Sequence, residues 1–352
     1  MEREFLAAAI RHILSPEDQL RHPAYAALTA ALSENQMALD LLSSVDERQQ
    51  NPTLLLAILH LAALRGDETL TPLYESLNRG EIIDTEAFAR TVVHYLEHHV
   101  EAVRAELDRM TQTNEVNRTA VLATVISDVA RQLGHDEITL VDVGCSMGLN
   151  LFPDQVTIAK TDDGNPATLV TQCLSEGFVR SRVPRITRRI GVDQNLLSAS
   201  DPEDVLWLKA CLWPEERRRV QRFDAILAAL PNWPKPEFRS GDAIGQVRQL
   251  LEEIGDEPVY LINSWVLYYF TDEDRVAWRA LIDEYRAKRT IVWISFEHEL
   301  MGLTLKFPHV PEPAPRKGAT QVVVTSSAQD STHWGWCHPH GHWFSVDSGP
   351  KA

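Results

Sequence analysis

Apolar positions recur at helical spacing through the first 110 or so residues, then give way to short β-branched runs. Phe5 to Leu14 has the three-to-four-residue period of an amphipathic helix. Ser15-Pro16-Glu17-Asp18 offers an N-cap, a proline at the first helical position and acids in the first turn. Pro23 breaks that run, and Ala24 to Leu32 starts a short alanine-rich helix. Asn51-Pro52 repeats the cap-then-proline signal ahead of Thr53 to Arg65, apolar on every side and so expected to be a buried central helix ended by Gly66. Thr85 to Met110 reads as one longer helix with Phe88, Val92, Tyr95, His99 and Val103 on one face. No strand pattern precedes Ile138. A helical domain is expected over residues 1–111.

The second part, residues 112–352, changes period. A helix over roughly Glu115 to Leu133, capped by Thr113 or Asn114, leads into Ile138–Val143, a buried strand that empties into Gly144-Cys145-Ser146-Met147-Gly148-Leu149-Asn150. Further strands are expected at Arg189–Asp193, Phe238–Ala243, Val259–Tyr269 and Thr290–Phe296, with helical patterns between them. Gln321–Ser326 and Trp343–Val346 read as closing antiparallel strands. Val156–Lys160 and Thr168–Leu174 flank the turn-rich Thr161–Pro166, which predicts a β-hairpin insertion after the first strand. Strands alternating with helices predict an α/β fold, a doubly wound, mostly parallel, Rossmann-like sheet.

Composition narrows the function classes. The 352 residues are 44% hydrophobic and 24% charged, as in ordinary globular proteins, and the net charge of −16 opposes a phosphate backbone, so no nucleic-acid partner is expected. The one basic stretch, Arg180 to Arg189, reads as a solvated connector. Four cysteines without a Cys-x-x-Cys pair point to a reducing, cytoplasmic setting. No apolar run approaches the ~20 residues of a membrane span, so no membrane partner is expected. His94 and His98 share a helix face without a third ligand, and no metal is expected there.

The chemistry gathers around the glycine loop. Asp142-x-Gly144-x-Ser146-x-Gly148 fits the loop of a nucleoside-binding strand–turn–helix, with Cys145 and Asn150 in the same turn. Gly144-Cys145-Ser146-Met147-Gly148 is also a literal Gly-x-Ser-x-Gly, the nucleophile elbow of α/β-hydrolases, for which Asp242 or Asp272 and then His338 or His340 would complete a Ser–acid–His order. Position favours the first reading. The loop lies on the first strand of the α/β part, whereas a hydrolase elbow follows several strands. Asp193 ends the second strand, where a nucleoside-binding sheet keeps the acid for the ribose, usually about 20 residues after the loop. Here it lies 49 positions past Gly144 (193 − 144), and the insertion accounts for the excess. Asp242 follows the third strand. Arg118, at the start of the helix entering the first strand, is placed to fork onto a ligand carboxylate, with Asn114 nearby. Asn263, Ser264, Trp265 and Tyr268 follow the fourth strand. His340 belongs to a histidine turn, His338-Pro339-His340-Gly341-His342, read as loop histidines near a site mouth.

Several stretches in order carry a family resemblance: Gln-Thr-Asn-Glu-Val-Asn-Arg (112–118), Val-Asp-Val-Gly-Cys-Ser-Met-Gly-Leu-Asn-Leu (141–151), Arg-Ile-Gly-Val-Asp (189–193), Ala-Cys-Leu-Trp-Pro-Glu-Glu (210–216), Ser-Gly-Asp-Ala (240–243), Asn-Ser-Trp-Val-Leu-Tyr-Tyr-Phe (263–270) and His-Pro-His-Gly-His-Trp (338–343). Together they resemble the bacterial DUF2332 family, a resemblance that implies a bacterial source and a two-part architecture but no activity. The loop and strand-end acids separately resemble class I S-adenosylmethionine-dependent methyltransferases, with Ser146 in place of the middle glycine. That likeness implies S-adenosylmethionine as cofactor: Gly144, Ser146 and Gly148 at its methionine part, Asp193 at the ribose and Asp242 at the adenine. Asn263, Ser264, Trp265 and Tyr268 would face a small-molecule or other acceptor. A pocket that binds a nucleotide without catalysis, as a sensor, is the non-enzymatic alternative.

Overall fold

The N-terminal periodicity folds as helices in a computed structural model that describes residues 3–45, 51–113, 115–298, 301, 305, 307, 314–316 and 318–347. The chain forms two units, Met1–Thr113 with Leu197–Asp224, and Asn114–Leu196 with Ala225–Ala352. The first contains α1 (Arg3–Arg11), α2 (Pro16–Arg21), α3 (Pro23–Glu34), α4 (Gln36–Ser43), α5 (Thr53–Leu64), α6 (Thr71–Arg79), α7 (Thr85–His98) and α8 (Val100–Arg104). The second opens with α9 (Arg118–Leu133), and the chain returns to the first with α10 (Pro202–Ala210) and the start of α11 (Arg217–Ala229).

Local chemistry explains the first unit. Ser15 Oγ accepts the Asp18 N–H at 3.2 Å, the cap its sequence promises. α5 buries Leu54 through Leu61 on all sides, with His60 stacked on Tyr74. The expected long helix instead breaks at His99, between α7 and α8. A single block over 112–352 misses the return of 197–224. Trp207 is buried in the helical core and donates its indole N–H to the Met110 carbonyl at 3.0 Å, and the Glu215 carboxylate accepts the N–H groups of Ala24 and Tyr25 at the start of α3.

The second unit is a mixed α/β structure on one large, mostly parallel sheet. Its strands are β1 (Glu137–Val143), β2 (Thr157–Ala159), β3 (Thr168–Val170), β4 (Gln172–Cys173), β5 (Arg185–Asp193), β6 (Glu237–Ser240), β7 (Val259–Ser264), β8 (Ile291–His298), β9 (Thr320–Ser326), β10 (Thr332–Cys337) and β11 (Trp343–Val346). α12 (Ala243–Glu253) joins β6 to β7, and α13 (Asp272–Arg286) joins β7 to β8. The main sheet runs β4-β11-β10-β9-β8-β7-β1-β5-β6. From β8 to β6 every neighbouring pair is parallel, and β8-β9-β10-β11 continues as an antiparallel meander. Alternation along β1 sorts the two cores. Ile138 and Leu140 pack against Val121, Leu122 and Val125 of α9, whereas Val141 and Val143 pack against Val247 of α12 and Trp278 of α13.

Three expectations change here. The insertion is not a hairpin, because β2 and β3 pair in parallel as a separate two-stranded sheet. Its polar tip winds through successive side-chain-to-backbone turns, Asp162 to Gly164 N, Asp163 to Asn165 N and Asn165 to Ala167 N, so the chain does not reverse in one tight turn. The strand expected over Val259–Tyr269 ends at Ser264, where Trp265 adopts φ 58° and Leu267–Tyr269 form a 3-10 turn. Thr332–Cys337 is a strand, so the histidines 338–342 form the turn of a β10–β11 hairpin.

Candidate functional site

Chain order turns around at β1: β5 and β6 follow on one side, and β7 and β8 on the other. Loops at the carboxyl ends of such strands leave a crevice between them. Asp142, Asp193 and Asp242 come from the ends of three adjacent strands there. The loop after β1 is held to β5 by the N–H groups of Gly144 and Cys145 on the Val192 carbonyl, at 2.8 and 3.3 Å. Asp193 Oδ2 accepts the Ser146 N–H at 2.7 Å, and its Oδ1 accepts the Asn195 N–H at 2.8 Å. Ser146 has φ 54°; with Trp265 it is one of two described non-glycine residues at positive φ, one in each of two loops flanking this edge.

The two loop glycines serve the protein's own packing. A Cβ on Gly144 would lie 2.3 Å from Val266 Cγ2, and one on Gly148 would lie 2.7 Å from the Phe238 ring, with both residues at left-handed φ. Phe238 and Cys145 Sγ also fill the space beside Gly191, so the ring covers the strand next to Asp193. Asn150 Oδ1 accepts the Thr119 hydroxyl at 2.8 Å, tying the loop to α9. Asp242 is exposed and caps α12 through the Gly245 N–H at 2.7 Å.

Asp142 is buried, and its Oδ2 has no hydrogen-bond partner among the described residues. Burial, and then the charge of Asp193, push its carboxyl well above the usual range, while Arg118 pulls the other way. Burial, followed by Asp142 and Asp193, likewise raises the Cys145 thiol.

The polar cluster 112–118 clamps the histidine turn. Asn114 lies outside the described residues. Arg118 is the first residue of α9 and Asn117 stands at its N-cap without a side-chain cap bond, so the expected cap by Thr113 is not made. Asn117, fully buried, donates from Nδ2 to the carbonyls of Val170 and His340, and its Oδ1 accepts the Val170 N–H. The buried carboxylate of Glu115 reaches His340 Nδ1 at 3.2 Å. Arg118 donates from Nε to the Pro339 carbonyl at 2.6 Å and from Nη1 to the Ser264 carbonyl at 3.4 Å. Arg118, Ser264, Trp265, Cys337 and His338 line a narrow crevice there. Ser264 Oγ is a second buried atom with no partner among the described residues.

The end of β7 holds a group that the motif reading missed. Asn263 is fully buried; it donates to Ser295 Oγ and Glu297 Oε1 and accepts from Trp293 Nε1, so its amide is used within the core. Glu297 Oε1 also accepts the N–H groups of Val266 and Leu267, both at 3.0 Å, which fixes the turn whose Val266 seals Gly144. Its Oε2 has no partner among the described residues, and burial pushes the carboxyl up to about 7 against those donors and Arg118. A glutamate at the end of the run Ile291–Phe296 was the available signal. Trp265 donates to Thr320 Oγ1, and Tyr268 is 61% exposed on the 3-10 turn. The basic stretch is neutralised in part: Arg185, Arg188 and Arg189 pair with Glu137, Glu237 and Asp154. His94 and His98 stay on an exposed helix face. No described helix is long and apolar enough to cross a membrane.

None of the curated proteins compared matches the chain. A family described as "Uncharacterized protein conserved in bacteria" matches residues 7–346, from the first helix to the last strand, and includes every motif that builds this site. The chain therefore belongs to the DUF2332 family.

Proposed function

We propose that the second unit binds S-adenosylmethionine at the carboxyl ends of β1 and β5 and passes its methyl group to an acceptor near the end of β7. The observation that carries this reading is the 2.7 Å hydrogen bond from Ser146 N to Asp193 Oδ2. It joins the loop of the first strand to the acid of the second, where the order β6-β5-β1-β7-β8 reverses. That parallel order corresponds to the 3-2-1-4-5 arrangement of doubly wound nucleotide-binding sheets. On this reading the loop 144–148 takes the methionine part, Asp193 the ribose hydroxyls and Asp242 the adenine, with the exposed Phe238 ring beside them. Ser264, Trp265 and Tyr268 face the acceptor, and Asn263 acts indirectly by holding Glu297. Methyl transfer is an in-line displacement at a sulfonium carbon, so positioning supplies most of the rate.

Calorimetry with S-adenosylmethionine and S-adenosylhomocysteine tests the reading. Binding is expected to be lost in Asp193→Ala and kept in Ser146→Ala. No heat at high micromolar ligand would sink it. Binding without methylation of any acceptor would turn the reading to a sensor. The left-handed φ of Ser146 favours one rival, the hydrolase elbow, although a 3-10 turn at Leu149–Leu151 follows the loop. Labelling of Ser146 by a fluorophosphonate would establish that rival.

A further inference from the structure

Asp142 and Asp193 point from neighbouring strands to the same sheet face, yet they are provided for very differently. Asp193 Oδ1 and Oδ2 accept the backbone N–H groups of Asn195 and Ser146. Asp142 is 3% exposed, and across the sheet it faces Gly191 and Ile262, neither of which offers a side-chain donor. Its Oδ2 is buried and unpartnered among the described residues. A bare anionic oxygen in that position, beside a second carboxylate, carries both a desolvation and a repulsion cost. The titratable and charged groups in electrostatic reach are Asp193 of β5, Arg118 of α9 and Cys145 of the loop.

We propose that Asp142 is held as the neutral acid and donates a hydrogen bond from Oδ2, and that with Arg118 it reads an anionic oxygen of the ligand. Neighbouring carboxyl groups in unlike environments take different roles, and a carboxyl oxygen buried without a donor is the one that keeps a proton. The consequence is a statement about the ligand. An ammonium group would need Asp142 ionised, whereas a carboxylate accepts from the neutral acid and from the guanidinium together. Resting on the cofactor reading above, the anionic oxygen is the α-carboxylate of the methionine part.

Three measurements on the full chain decide it. By calorimetry with S-adenosylhomocysteine, Asp142→Asn, which keeps a donor, is expected to bind within about threefold of the parent, and Asp142→Ala to bind about 10- to 100-fold more weakly. Equal weakening in both variants would overturn the proposal, because an ionised acceptor would be lost in either. With 5′-methylthioadenosine, which lacks the carboxylate, Asp142→Ala is expected to leave affinity unchanged, and a loss there would overturn the anionic reading. Independently of any ligand, carbon-13 NMR of aspartate-labelled protein is expected to show one carboxyl still protonated at pH 6, missing in Asp142→Asn. If that carboxyl is ionised at pH 6, the proposal fails even if S-adenosylhomocysteine binds. If it is protonated while no ligand gives heat, the cofactor reading fails and the neutral acid stands.

Discussion

Replacing Glu297 by glutamine is expected to stabilise the second unit at pH 8 and to change it little at pH 5. Gln retains an oxygen where Oε1 accepts Asn263 Nδ2, Val266 N and Leu267 N, and it places an uncharged group where Oε2 is bare. The side chain is buried, so solvent does not screen the effect. Folding raises its proton affinity from an ordinary 4.5 to about 7, and at about 1.4 kcal/mol per tenfold this amounts to roughly 3 kcal/mol. The sign follows from linkage. A carboxyl whose folded value lies above its unfolded value contributes stability below about 4.5, and that contribution is lost as pH rises through about 7. Above that range the parent chain keeps a buried charge, with Oε2 lacking a partner among the described residues, that the amide does not carry. Urea unfolding of both proteins at pH 5, 6, 7 and 8 measures the difference, with amide exchange at Val266 and Leu267 as a local readout. The gap should open with pH, from near zero to about 3 kcal/mol. A gap that is flat from pH 5 to 8, or that favours glutamate at pH 8, refutes the reasoning.

Other outcomes follow from the same packing. Gly341→Ala puts a Cβ 2.4 Å from the Asn117 carbonyl at φ 72°, and is expected to cost about 2 kcal/mol or more in denaturant unfolding. Asn117→Ala removes three buried hydrogen bonds to Val170 and His340 and should cost on the order of 3 kcal/mol, with faster amide exchange at Val170. Gly144→Ala drives Val266 from its place, and is expected to loosen the turn 265–267 and to abolish S-adenosylhomocysteine binding in calorimetry.

Local patterns carry this chain some distance. The helical period of the first hundred residues, the caps at Ser15 and Thr271, and the β-branched runs at Ile138, Arg189, Val259 and Thr290 are written into neighbouring residues, because caps and amphipathic faces need only a few positions. The glycine loop with its acid at Asp193 could be read for the same reason, and the structure brings the two within one hydrogen bond. The return of 197–224 to the helical unit depends on Trp207 and Glu215 finding partners about a hundred or more positions away, which no local period encodes. The parallel pairing of β2 and β3 was decided by the path of their connection, not by their composition. The motif 112–118 looked like a helix cap and became the clamp of a turn more than 200 residues later, since Asn117, Arg118 and Glu115 find these hydrogen-bond partners only when that turn arrives. Glu297 and Asp142 show the same division most sharply. Their letters sit in plain apolar strands, and only the tertiary fold, by taking one oxygen of each out of water with no partner among the described residues, makes them groups whose protonation matters.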